Sequence, residues 1–305
     1  MNGPQRPLGR KDPGLAEAAG GASQCGDTIV IAPERGLVRV DLGELWRARE
    51  LIGFLALRDV KVRYKQAALG IAWAVLQPLL TMIVFSLLFG LLMGAEDRPG
   101  VSGVPYAVST YCALVPWQLF ATSLSFSGNS IVGNQNLVTK VYFPRLVLPI
   151  APIVAALVDF AAAFGVLLLM MLAYGIAPGP EVVLLPCFVA LALLTALAVS
   201  LWLSALNALY RDVRYALPFL TQLWFFVTPC VYTAQSVLGD APPWAHWLYA
   251  ANPMVGVVEG FRWVLIGGPA PAAAALVASV GVVALLLAGG AVYFRRMERV
   301  FADWV

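Results

Sequence analysis

Long stretches without Asp, Glu, Lys or Arg dominate this 305-residue sequence and decide what it can fold into. A helix that crosses the hydrocarbon core of a bilayer needs about 20 consecutive apolar residues. The chain is 60% hydrophobic and 12% charged, whereas soluble domains are about 25% charged. The sequence therefore predicts an all-α integral membrane protein with six transmembrane helices. The predicted spans cover about residues 68–93, 106–130, 146–174, 182–208, 214–236 and 270–293.

The distribution of positive charge predicts the orientation of these spans. Of the 20 Lys and Arg residues, 11 lie within residues 1–65. If the N-terminus is cytoplasmic, 18 positive residues lie on the inside and only Arg98 and Arg262 lie outside. Because Lys and Arg accumulate in cytoplasmic loops, both termini are expected in the cytoplasm. The six spans then form one domain, residues 65–295, followed by a cytoplasmic tail, residues 296–305.

The segment before the first span is expected to have two parts. Residues 1–40 are rich in Gly, Pro and Ala and predict a disordered or extended cytoplasmic arm. Residues 41–64 predict an amphipathic helix in the plane of the membrane surface, with Leu45, Ala48, Ile52, Leu55 and Ala56 on its apolar face. The apolar pattern stops near residue 58, where we expect the chain to turn into the first span. A basic cluster marks this corner, namely Arg58, Lys61, Arg63 and Lys65. Since Arg and Lys bind phosphate, this cluster would hold the corner at anionic lipid headgroups.

Two other connections carry structural signals. The loop between the last two spans contains short apolar segments at about 243–250 and 254–265, bounded by Pro and Gly breakers. They are too short to cross a bilayer and predict re-entrant or interface helices at the outer face. The loop from Asn129 to Pro149 has a polar centre and ends in a Phe-Pro-Arg sequence. It predicts a short cytoplasmic helix that could dock on a soluble partner.

The sequence contains no catalytic or nucleotide-binding motif. A GxxxxGK[ST] phosphate loop, an HExxH pair and a GxSxG elbow are all absent. The four Cys residues form no CxxC pair, so no metal site is expected. Asp159 is the only ionisable residue inside a predicted span. It is expected to have a structural role, because the other predicted spans offer it no Lys, Arg or His partner.

Three segments together resemble the membrane subunit of bacterial polysaccharide ABC exporters. They are "LRDVKVRYKQAALGIAWAVLQPLLTMIVFSLLFG" (Leu57 to Gly90), "NLVTKVYFPRLVLP" (Asn136 to Pro149) and "ANPMVGVVEGFRWVLIG" (Ala251 to Gly267). The resemblance covers about residues 28–298. It is most similar to the O-antigen, Wzm-like branch of a family that also exports capsule and teichoic acid. It implies the membrane domain of a type-2 ABC exporter in the bacterial inner membrane, without an enzymatic activity of its own.

The resemblance also implies partners and sites. Two copies of the chain would pair with two copies of a separate subunit that binds ATP and Mg, and lipid-linked polysaccharide would cross at the interface between the copies. No nucleic acid partner is expected. The exported lipid would carry phosphate, so the candidate substrate entrance is the basic corner of Arg58, Lys61, Arg63 and Lys65. The ATPase-coupling helix would comprise Asn134, Gln135, Asn136, Lys140, Tyr142 and Phe143. The helices at 243–265 would form an outer gate with Trp244, Trp247, Glu259 and Arg262. Since sugar rings stack on aromatic side chains, the candidates for channel lining are Trp73, Gln77, Phe85, Phe89, Trp224, Phe225, Phe226 and Tyr232.

Two other classes of function stay open at this point. One is a proton-coupled secondary transporter that uses Asp159, and the other is a membrane-embedded glycosyl or acyl transferase. A carrier should work without an ATPase, and the sequence shows no obvious inverted repeat. A transferase should show a clustered polar active site, which the sequence lacks.

Overall fold

The chain forms a bundle of long helices in a computed structural model that describes residues 42–65, 70–92, 103–141, 143–234, 239, 242–298 and 301. The predicted arm at residues 1–40 lies outside the described residues. The helices that precede the bundle or lie in its first half are α1 (Leu42–Arg47), α2 (Arg49–Lys65), α3 (Ala72–Leu92), α4 (Tyr106–Gly128), α5 (Ser130–Gly133), α6 (Gln135–Lys140) and α7 (Val147–Ala173). The others are α8 (Leu185–Leu209), α9 (Val213–Val227), α10 (Pro243–Ala250), α11 (Pro253–Ile266) and α12 (Ala273–Glu298).

Four helical segments are long and apolar enough to cross a membrane. They are Ala72–Phe89 in α3, Val147–Ala173 in α7, Pro180–Leu209 in α8 with the 3₁₀ turn before it, and Ala273–Glu298 in α12. They match the predicted first, third, fourth and sixth spans. The helix α12 continues five residues past the predicted end of its span at residue 293, so the predicted tail begins inside it.

The second and fifth predicted spans correspond to α4 and α9, which are not among these four segments. They stay predictions, and the physical reason differs between the two helices. The helix α4 has 23 residues and is about 35 Å long, but most of its side chains are buried and several are Ser or Thr. A helix surrounded by protein does not need a fully apolar surface. The helix α9 has only 15 residues and is about 22 Å long. It ends at Val227 because the next residue, Thr228, is extended before Pro229.

The buried core has two parts. The larger one surrounds α4, which packs against α7, α8 and α11. The smaller one lies at the end of the bundle where α5, α6 and the end of α12 meet, and it includes Leu55, Ile131, Val138, Val147 and Phe294. Arg145 and Arg295 lie beside this second core, so we call it the basic end of the bundle.

Close packing at the opposite end depends on Gly260 in α11. A Cβ atom at this position would lie 2.1 Å from the ring of Phe188 in α8, which is far inside van der Waals contact. Nearby, Gly267 ends α11 with a φ of +68°, a left-handed conformation that favours glycine. These two glycines fix where α11 approaches the bundle and where the chain leaves it.

The predicted surface helix differs from expectation. Its apolar face packs on the protein's own helices: Leu55 and Ala56 are buried, and Leu45, Ala48 and Ile52 are half-buried. The predicted break near residue 58 is not present, since α2 continues to Lys65. The side chains left exposed on α1 and α2 include apolar ones, namely Trp46, Phe54, Leu57 and Val62.

Candidate functional site

The predicted entrance cluster splits into two pairs of side chains. Lys61 and Lys65 are exposed. Arg58 instead pairs with Asp59 at 2.8 Å and donates a second hydrogen bond to the Asn134 side-chain oxygen at 2.9 Å. Arg63 points into the bundle. The four residues therefore do not form one exposed basic surface.

Arg63 forms an ion pair with Asp159 in the middle of α7. Tyr64 donates its hydroxyl hydrogen to the same carboxylate. The Arg63 guanidinium carbon also lies 3.9 Å from the centre of the Phe126 ring, a cation–π geometry. Asp159 is buried and lies about 18 Å along α7 from the start of that helix. The sequence analysis considered basic partners only on other spans, and the partner that the structure shows comes from α2, the helix before the first span.

The predicted coupling segment contains a shorter helix than expected. Only α6, Gln135–Lys140, is helical. Its Val138 is buried in the core of the basic end, while Gln135, Asn136, Thr139 and Lys140 are exposed. The Asn134 side-chain N–H donates to the Ser130 carbonyl oxygen at 2.8 Å. The side-chain oxygen of Asn134 accepts the hydrogen bond from Arg58. Phe143 is half-buried against the same core, and Tyr142 lies outside the described residues.

Half of the predicted channel residues meet along one groove. The groove has a volume of about 380 Å³ and lies between α3, α4 and α9. It includes four of the eight candidates, namely Gln77, Phe85, Phe225 and Phe226. Sequence reasoning missed the other eight residues of its wall, among which Thr81, Trp117, Gln118 and Gln222 carry polar groups. An amide inside an apolar span is the signal that could have found the two glutamines, as it did for Gln77.

The other four candidates do not line this groove. Trp73 is exposed one helical turn before Gln77. Phe89 packs on Phe85 and Tyr106, with ring centres 6.3 and 5.8 Å away. The Trp224 indole donates to the Asn252 side-chain oxygen at 2.9 Å. The Tyr232 hydroxyl donates to the Phe226 carbonyl oxygen at 2.9 Å.

The four predicted gate residues lie in two different environments. Trp244 and Trp247 on α10 are 67% and 63% exposed. Glu259 and Arg262 on α11 are buried and paired at 3.2 Å. Arg262 also donates to three carbonyl oxygens from other segments, those of Ser109, Cys230 and Tyr232. The buried pair therefore joins α11 to α4 and to the chain after α9.

The described residues offer little else that could carry chemistry. Cys112, Cys187 and Cys230 have free thiols. No group of three or more His, Cys, Asp or Glu side chains in the described part of the chain is placed to hold a metal ion.

The four long apolar helices are those of a multi-pass membrane protein. Residues 50–266 match the family model of the ABC-2 type transporter, so the chain belongs to that family. This finding confirms the family predicted from the three sequence segments.

Curated relatives cover most of the chain. It is 32% identical over 260 residues to the O-antigen export system permease protein RfbA of Myxococcus xanthus, covering 85% of this chain and 97% of the relative. A protein of the same name from Klebsiella pneumoniae is 28% identical, with coverage of 76% and 85%. The polysialic acid transport protein KpsM of Escherichia coli is 27% identical, with coverage of 70% and 80%.

Proposed function

We propose that this chain is the membrane subunit of an ATP-driven exporter that moves lipid-linked polysaccharide, of the O-antigen class, across the bacterial inner membrane. Two copies of the chain would form the channel, and two copies of a separate ATPase would bind ATP and Mg. Both termini and the basic end would then face the cytoplasm, and α10 and α11 would form short re-entrant helices at the outer face. The printed names of the relatives support the polysaccharide class.

The observation that carries this proposal is the composition of the groove between α3, α4 and α9. Its wall combines the amides of Gln77, Gln118 and Gln222 with the rings of Phe85 and Phe226. Amides donate and accept hydrogen bonds, so they can replace the water around sugar hydroxyl groups. Aromatic rings offer flat apolar surfaces to the C–H faces of a sugar. Such a wall holds many sugars weakly and none tightly, as a conduit for a polymer requires.

Export needs a contact through which an ATPase moves the bundle, and α6 suits this role. Its buried Val138 anchors the helix to the core, while its polar side faces outward. Asn134 at its start is bonded to Arg58 of α2. A displacement of α6 would therefore be transmitted to α2. The ion pair between Arg63 and Asp159 would transmit it further, to the middle of α7.

Replacing Gln135, Asn136, Thr139 and Lys140 together with Ala tests this contact. The helix should persist, because Ala has the highest helix propensity and Val138 keeps its anchor. Copurification of the ATPase with the variant should be strongly reduced, while its insertion and yield stay unchanged. The control changes four exposed apolar residues of α9 to Ala, namely Tyr215, Phe219, Leu220 and Leu223. Copurification of the Ala variant of α6 at the wild-type level would show that the ATPase binds elsewhere.

The entrance for the lipid-linked substrate is proposed at Lys61 and Lys65, the two exposed members of the basic cluster. We expect the Lys61→Gln/Lys65→Gln variant to assemble normally but to export polymer more slowly, because it has lost two cations that attract the substrate's phosphate. The matched control is Arg47→Gln/Arg49→Gln, which removes the same charge from exposed positions of the preceding turns. Export measured as surface polymer should fall only in the lysine variant. Equal export by both variants would show that Lys61 and Lys65 do not form the substrate entrance.

A further inference from the structure

A second cavity lies at the end of the bundle opposite the basic end. It has a volume of about 360 Å³ and is enclosed by α10, α11 and the first turns of α12. This volume is within the range of small-molecule binding sites, about 300–1,000 Å³. Its wall is largely apolar and includes Trp247, Ala250, Val255, Pro271 and Ala275.

Besides the Trp247 indole, the wall carries four polar side chains: Glu259 and Ser279 are engaged within the protein, the Tyr249 hydroxyl is buried, and His246 is exposed. The Ser279 hydroxyl donates to the Ala250 carbonyl oxygen at 3.1 Å. The Glu259 carboxylate accepts from the Ala234 backbone N–H at 3.1 Å and from Arg262 at 3.2 Å. A sugar carries several hydroxyl groups, each of which loses hydrogen bonds to water on entering such a cavity. A wall with so few free polar groups leaves most hydroxyls of a sugar without a hydrogen bond, whereas a hydrocarbon chain has no hydrogen bonds to lose there.

The cavity opens onto the exposed surface of α12, a helix long and apolar enough to cross a membrane. Ala274 lines the cavity and is exposed, and Val277, one turn further along α12, is 72% exposed. The cavity wall ends at Ser279, about 9 Å along α12 from Ala273. The exposed Trp244 and Trp247 lie on the adjoining α10, and Trp is enriched where the hydrocarbon core meets the headgroups. A phospholipid at this depth would have its headgroup beside the two tryptophans and its chain at the mouth of the cavity.

We propose that this cavity binds one acyl chain of a membrane phospholipid. The chain fills the space between α10, α11 and α12, three helices that meet here around a void. By filling it, the lipid restores the dispersion contacts that the lining side chains lack. The site is separate from the groove between α3, α4 and α9, and the proposal does not depend on which substrate the protein exports.

Photo-crosslinking tests the site in membranes of cells that express the full chain with its ATPase. The probe is a phosphatidylglycerol with a diazirine on its acyl chain, and labelled peptides are identified by mass spectrometry. Peptides of α10 and α12 should be labelled in the wild type. Ala274→Phe should lower this labelling several-fold by filling the cavity. Ala273→Phe, which makes the same change at the neighbouring exposed residue outside the cavity wall, should leave it unchanged.

A second variant, Ala275→Leu, fills the cavity from a half-buried position and should lower labelling in the same way. Yield and size-exclusion profile of each variant show whether it has folded. The proposal is overturned if folded Ala274→Phe and Ala275→Leu are labelled like the wild type, or if both Phe variants lose labelling equally. It is also overturned if a diazirine-bearing polyprenyl phosphate labels these peptides and the phospholipid does not.

Discussion

Replacing Arg262 with Gln is expected to remove most of the folded protein from the membrane. Arg262 is 1% exposed and donates hydrogen bonds to Glu259 and to the carbonyl oxygens of Ser109, Cys230 and Tyr232. Gln has too few donors for these acceptors and leaves the Glu259 carboxylate buried without its counter-charge. Removing one partner of a buried ion pair costs about 3–5 kcal/mol. The yield of monodisperse protein after size exclusion measures the loss.

The control for Arg262 is Arg296→Gln, which removes the same charge from an exposed residue of α12. Its yield should match that of the wild type. The Arg262→Gln/Glu259→Gln double variant should recover part of the yield, because it no longer buries an unpaired carboxylate. Wild-type yield of the single Arg262→Gln variant would show that the pair does not hold α11 in place.

The second large effect is expected at Asp159. The sequence alone predicts that Asp159→Asn keeps most transport, because an amide can still bond a neighbouring helix. The ion pair with Arg63 changes this expectation. Asn can still accept the Tyr64 hydrogen bond, but it leaves the Arg63 charge uncompensated beside the bundle. We therefore expect Asp159→Asn to lower the yield and the export rate strongly, and Arg63→Gln/Asp159→Asn to restore much of both.

The double variant also separates the structural role from the secondary-carrier alternative. It has no ionisable group at residue 159, so a proton-coupled carrier would be folded but inactive, whereas the ATP-driven exporter should transport. Asp59→Asn is the matched control, since it breaks a neighbouring ion pair that is partly exposed and worth under about 1 kcal/mol. A well-folded double variant without any export would contradict the structural role.

The parts of the fold that could be predicted from sequence are those governed by contact with lipid. The helices α7, α8 and α12 can be recognised in the sequence as long runs of apolar residues, because the side chains that face the lipid must be apolar. The helix α4 is surrounded by protein, so its Ser and Thr residues weaken that signal. The helix α9 ends early because of Pro229. The span at 214–236 is predicted from a stretch without charged residues, and that criterion takes no account of proline.

The candidate site was less predictable, because its contacts join distant parts of the chain. Arg63 and Asp159 are 96 positions apart, and no periodic pattern reports that two such residues meet. The end of the apolar pattern near residue 58 predicts a turn of the chain, whereas α2 continues and carries Arg63 to Asp159. Likewise, helical spacing cannot say which aromatic residues share a wall. Only the packing of α3, α4 and α9 brings Gln77 and Phe226 together with Gln222.

The central claim, that this chain exports lipid-linked polysaccharide with a separate ATPase, is tested most directly by reconstitution. The chain and a candidate partner ATPase of the ABC class are placed in proteoliposomes, and a fluorescent lipid-linked oligosaccharide is followed across the bilayer. We predict translocation that requires ATP, Mg and both proteins, and that stops when the ATPase carries an inactivating substitution. Translocation by this chain alone, driven by a proton gradient and indifferent to ATP, would contradict the account.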